Sequence, residues 1–149
     1  MTAWTYGAWA FAAGVLIPVM AILNGGLGRA IGSSSWAAVV LFAVALAAAV
    51  AVAALSGGRP ALGALANGKP WQFAAGLIVL FYVLSATYLT PRFGVAPTIL
   101  LVVVAQIVTA SLISHFGWLG APRQPMDGLK AAGLALMVAG VVLTQVRRS

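Results

Sequence analysis

Acidic side chains are almost missing from this chain: Asp127 is the sole Asp or Glu among its 149 residues. Histidine occurs once, at His115, and cysteine not at all. Each scarcity removes a class of chemistry. Without cysteine there is no disulfide and no thiolate metal site. A hydrolytic triad needs a histidine with an orienting carboxylate, and acid–base catalysis needs two titratable groups. His115 and Asp127, each near the end of an apolar run, supply neither, so an enzyme, a metal centre and a bound cofactor are not expected. Gly28 and Gly32 follow no strand, which removes a phosphate-cradling nucleotide loop.

What the chain has instead is apolar length. Hydrophobic residues make up 63% and charged residues 6%, against roughly 45–50% and 25% in a soluble domain. A water-soluble globule of this size could not cover that much apolar surface. Eight Lys and Arg give a net charge of +7. They stand singly between apolar runs with no basic stripe, which suits lipid headgroups rather than nucleic acid.

Five runs approach the length of about 20 residues that a spanning helix needs. They cover about 4–23, 36–55, 71–90, 97–116 and 128–146 within one domain, 1–149. None alternates with period two, and each is about twice the length of a barrel strand. The first run has no Lys or Arg before it and exceeds a signal-peptide core, so it reads as a span. A glycine-rich turn is expected at Asn24–Arg29, the main loop over 56–70, and an N-cap at Asp127. Trp4, Trp36, Trp71 and Trp118 fall at run boundaries, as an interfacial aromatic belt requires. The expected fold class is an all-α membrane protein with five transmembrane helices.

Five spans put the termini on opposite sides. The N-terminal side, side A, carries Arg59, Lys69, Arg123 and Lys130; side B carries Arg29, Arg92, Arg147 and Arg148. Four against four removes the bias that normally orients a membrane protein. The expectation is dual topology, with copies inserted both ways and paired as an antiparallel homodimer; the alternative is a helix end or a partner that fixes one orientation. An antiparallel pair reproduces an inverted repeat, the architecture of alternating access.

Polar residues inside spans face a cavity or a neighbouring helix. Gln106 lies near the middle of the fourth run with Thr109 one turn on, and the pair either lines a substrate cavity or joins helices. Tyr82, Ser85 and Tyr88 share one arc of the third run, as an aromatic wall or as snorkelling tyrosines beside a self-bonded serine. Trp9 is a stacking candidate or a belt member. Asn24 reaches the cavity or caps the first helix. Pro18 is expected to kink that helix. Arg29 and Arg92 sit in headgroups or draw an anionic solute to the side-B mouth. Ala132, Gly133, Ala139 and Gly140 repeat at seven residues as one small face, read as a dimer seam. No span contains a carboxylate to trade proton for cation, so the expected substrate is neutral, zwitterionic or anionic.

The order of several short segments carries a resemblance. Lys69-Pro70-Trp71, Phe81-Tyr82-Val83, Ala86-Thr87-Tyr88-Leu89-Thr90-Pro91-Arg92-Phe93-Gly94, Ala105-Gln106, His115-Phe116-Gly117-Trp118 and the 122–125 turn resemble the YdcZ-like five-helix family of the drug/metabolite transporter superfamily. So do Asn24, Leu27-Gly28-Arg29, Ser34-Ser35-Trp36-Ala37, and Gly133 with Gly140-Val141-Val142-Leu143. The resemblance implies an inner-membrane protein related to one half of a ten-helix transporter, working as a dimer or with a paired paralogous subunit. Ala105 stands where the family often has Gly, and Ser114 where it often has Asp. The second departure weakens any role carried over to that position and leaves room for a sister subunit that keeps the acid. The function expected is alternating-access transport of a small solute, against a dual-topology channel or a non-transporting subunit of a heterodimer.

Overall fold

A computed structural model of the chain describes residues 3–56, 63 and 67–146. Arg59, Arg147 and Arg148 lie outside the described residues. Five helices are long and apolar enough to cross a membrane: α1 (Ala3–Ala30), α2 (Ser34–Leu55), α3 (Ala75–Phe93), α4 (Val95–Phe116) and α5 (Gly128–Val146). No strand occurs among the described residues. The chain divides into two compact units, residues 1–95 and 96–149.

The first helix corrects the expected turn at Asn24–Arg29. α1 runs through all of it to Ala30. Glycine in a helix costs about 1 kcal/mol relative to alanine, but hydrocarbon offers the backbone no water, and helical hydrogen bonding outweighs that preference. At 1.5 Å per residue, the 28 residues of α1 span about 42 Å, beyond a hydrocarbon core of about 30 Å. The helix closes on Gly32, whose φ is +71°. Gly32 N–H donates to the Arg29 carbonyl and Ser33 N–H to the Gly28 carbonyl, the paired bonds of a glycine-terminated helix. Pro18 lies within the continuous α1.

Ser33 then opens α2: its hydroxyl accepts from the Trp36 amide at 3.2 Å. α3 is preceded by a 3-10 turn at Pro70–Ala74. Its expected end at Thr90 is also corrected, because the helix continues to Phe93 and stops at Gly94, φ +97°. In the first unit α1, α2 and α3 pack pairwise. The contact is made by small residues: Ala21, Ala37, Ala38 and Ala86 are buried, with Gly25 and Gly28 beside them. A Cβ on Gly28 would stand 3.3 Å from Thr87 Cγ2 and 3.5 Å from Ser34 Cα, so even a methyl group would press on Thr87 and a larger side chain would force the helices apart. Lipid is as apolar as leucine, so such close backbone contact, rather than hydrophobic burial, holds spanning helices together.

The second unit holds most of α4 and all of α5. After Gly117 the chain folds back over the end of α4. Gln124 N–H donates to the Ser114 carbonyl at 2.8 Å, Met126 N–H to His115 Nδ1 at 2.8 Å, and Arg123 Nε to the His115 carbonyl at 3.4 Å. Asp127 caps α5 as expected, its Oδ1 accepting from Lys130 N–H at 2.7 Å. α5 begins at Gly128, directly after its cap, and is described to Val146. Its side chains turn outward, with Leu129, Leu136 and Leu143 all exposed.

Candidate functional site

Asn24 is buried on α1 and bridges to α3. Its Nδ2 donates to Thr87 Oγ1 at 2.6 Å, and the Thr87 hydroxyl donates in turn to the Val83 carbonyl at 2.7 Å. In the interior of a bundle each of these polar groups needs a partner, and the chain of bonds supplies one. Asn24 therefore does not cap a helix end. It also borders a mainly apolar groove of about 440 Å³ with Met20 and Leu23 on α1 and Val40 and Val44 on α2.

The arc expected on α3 divides. Tyr82 and Ser85 are half-buried and Tyr88 is exposed. The Tyr82 hydroxyl and Thr90 Oγ1 are shielded from solvent and find no hydrogen-bond partner among the described residues. Tyr88 lies beneath Arg92, whose guanidinium carbon is 3.8 Å from the ring centroid and whose Nη1 donates to the Tyr88 carbonyl at 3.0 Å. Trp9 is exposed on α1.

A polar hollow of about 370 Å³ opens where α1 ends, α2 begins and α3 ends; Gly28, Arg29, Ser33, Ser34, Thr87 and Arg92 are among its walls. Gly28 and Thr87 were not legible as site residues singly. The signal was the spacing of small residues, Ala21, Gly25 and Gly28 on one helix and Val83, Ala86, Thr87 and Thr90 on the other.

In the second unit Gln106 and Thr109 are exposed on α4. That unit's hollow, about 390 Å³, is lined instead by Ser111 and Ser114 from α4, Gln124 and Met126 from the loop, and Lys130 and Leu134 from α5. Ser114 is the position where the resembled family often carries an acid. The small face of α5 is left uncovered by the described residues of its own unit: a Cβ on Gly133 or Gly140 would meet none of them within 4 Å. Among the described residues no three His, Cys, Asp or Glu side chains group into a metal site.

Trp4, Trp36, Trp71 and Trp118 sit exposed at helix ends, and Lys69 Nζ lies 4.9 Å above the Trp71 ring. Soluble monomers do not expose apolar surface on the scale seen along α1, α2 and α5. Helix lengths, the aromatic belt and the outward apolar faces define a multi-pass α-helical membrane protein. The family model described as "Putative inner membrane exporter, YdcZ" matches residues 5–143. The chain belongs to that family and is a multi-pass protein of the inner membrane, with the general function of a membrane transporter. No curated protein and no solved structure matched it.

Proposed function

We propose that the chain carries a small solute across the membrane by alternating access, as an antiparallel homodimer of copies inserted in opposite orientations. The observation that carries this reading is the even division of cations, four on each side of five spans. With no positive-inside bias, insertion has no preferred direction, and two opposed copies supply the inverted repeat on which alternating access depends. The uncovered small face of α5 (Ala132, Gly133, Ala139, Gly140) serves as the seam. Gln106 and Thr109, with Tyr82, Ser85, Tyr88, Trp9 and Asn24, contribute to the substrate path. The only side-chain carboxylate is the α5 cap, so the substrate is neutral, zwitterionic or anionic rather than a proton-exchanged cation.

The test joins topology to turnover. A cysteine introduced as Ser149→Cys is labelled from each side of intact cells, and the purified protein is assayed for flux in liposomes. Labelling from both sides with saturable flux supports the carrier. One-sided labelling removes dual topology. Rates far above about a thousand per second, beyond gating motions on the μs–ms scale, identify a pore instead. Tight proton-for-cation exchange refutes the substrate assignment. Ser114 supports a second reading, a heterodimer whose sister subunit keeps the acid; that protein shows no flux when reconstituted alone.

A further inference from the structure

The two arginines of the polar hollow turn back along their own helices. A helical side chain leans toward the N-terminus of its helix. For residues at the side-B ends of α1 and α3 that direction is back toward the hydrocarbon. Arg92 follows it: its guanidinium carbon stands 3.8 Å from the centroid of the Tyr88 ring, one turn back along α3, and its Nη1 donates to the Tyr88 carbonyl. Arg29 does the same, because its Nη2 lies 4.0 Å from where a Cβ on Gly26 would stand. An arginine seeking only headgroups would snorkel outward.

Arg29 and Arg92 both line one concave space of about 370 Å³, and none of its lining residues is acidic. The chain has no spare carboxylate to pair with them, since Asp127 is bonded at the start of α5. The remaining wall also favours negative charge. Ser33 and Ser34 present hydroxyls, and the start of α2 faces the same hollow. The Trp36 amide is taken by Ser33 Oγ, whereas the amides of Ser34 and Ser35 have no intrahelical carbonyl to bond. The 22-residue α2 adds the positive end of its dipole. Gly28 keeps the wall free of side-chain bulk.

We infer that this hollow binds a carboxylate or phosphate group, held by Arg29 and Arg92 against the first turn of α2. The assignment deepens the transporter reading and rests on it: the anionic group belongs to the substrate, which removes the neutral class and leaves the zwitterionic and anionic ones. In an antiparallel pair the two copies place one such hollow at each membrane face, where a reciprocating carrier needs its entrances. The same chemistry fits the phosphate of an anionic lipid, and the experiment separates the two sources.

The purified protein in dodecyl maltoside, free of phosphate and at low salt, is titrated calorimetrically with inorganic phosphate and with succinate. Phosphatidylglycerol is added in a parallel series read by native mass spectrometry. Saturable binding of phosphate or succinate is expected, and Arg29→Gln and Arg92→Gln should each weaken it about tenfold or more, as loss of a charge-assisted hydrogen bond does. Arg123→Gln, outside the hollow, should bind as the parent does. Binding of phosphatidylglycerol alone, lost in the same two variants, assigns the hollow to lipid and overturns the substrate role. No binding of any probe, or unchanged binding in the double variant, overturns the site. Should either arginine variant fail to fold, Ser34→Asp decides. It places a fixed negative charge in the first turn of α2, where helices favour one, and should abolish anion binding without loss of helicity. Neither flux nor orientation enters these measurements, so their failure is separate from failure of the two-way carrier, which the Ser149→Cys labelling decides.

Discussion

Asn24 and Thr87, 63 residues apart in sequence, share a 2.6 Å hydrogen bond that ties α1 to α3. The Thr87 hydroxyl donates its own hydrogen bond to the Val83 carbonyl, so the asparagine meets an oriented acceptor rather than a freely rotating hydroxyl. Interhelical hydrogen bonds in membranes average about 0.6 kcal/mol and reach about 1.7. Because this one is buried and short, Asn24→Ala should cost about 1 kcal/mol. Thr87→Val, which keeps the shape and removes the acceptor, should cost a similar amount. The double variant should be less destabilised than the sum of the two. A double-mutant cycle on detergent-purified protein, read by denaturant midpoint, checks this; simple additivity would show that the two side chains are not coupled.

Glycines in this chain divide by what surrounds them. Gly28 is hemmed in by Thr87, Ser34 and Ala37, each within 3.6 Å of a Cβ placed there, whereas Gly133 and Gly140 face open space. Gly28→Leu should therefore destabilise the single protomer by about 1–3 kcal/mol, the usual cost of forcing bulk into a packed contact. Gly133→Leu and Gly140→Leu should leave protomer stability within about 0.5 kcal/mol yet lower the dimer fraction, because the small face would lose its close approach. Thermal unfolding and cross-linking in liposomes read the two effects separately. An undiminished dimer in Gly133→Leu would remove α5 as the seam.

Gln106 is exposed at mid-span on α4, a costly place for an amide unless water, substrate or a neighbouring helix meets it. Gln106→Ala should lower flux about tenfold or more, in line with loss of a hydrogen bond that orients substrate, with little change in unfolding midpoint. Unchanged flux would reassign the residue to helix joining.

The contrast between what was legible and what was not follows from the two solvents the chain meets. Span number and type were plain, because hydrocarbon demands about 20 apolar residues per helix; the Asp127 cap at the start of α5 was legible too. The end of α1 departs from the expected turn because glycine propensities describe helices in water, whereas Gly25 and Gly28 pack closely against α3. The same reasoning missed Thr87 as the partner of Asn24. A small residue on one run announces that something approaches closely, and the approaching residue is fixed only by tertiary packing. The third run is expected to end at residue 90, yet Pro91 lies in the last turn of α3, where its only loss is the i→i−4 bond that an amide would give the Thr87 carbonyl.

The even charge division makes orientation responsive to small edits. Ser56→Lys with Asn67→Lys would place six basic residues on side A against four on side B. Charges in short loops near span ends weigh most in insertion, and both positions flank the loop between α2 and α3. Side A should then be retained in the cytoplasm, and a cysteine at Ser149 should become reachable only from outside. On the homodimer reading, flux should collapse together with the loss of mixed orientations, because same-facing copies cannot form the inverted pair. Co-expressing a second copy carrying two extra lysines on side B should restore it. Transport that persists in the strictly one-way variant would mean that a parallel assembly or a lone protomer does the work.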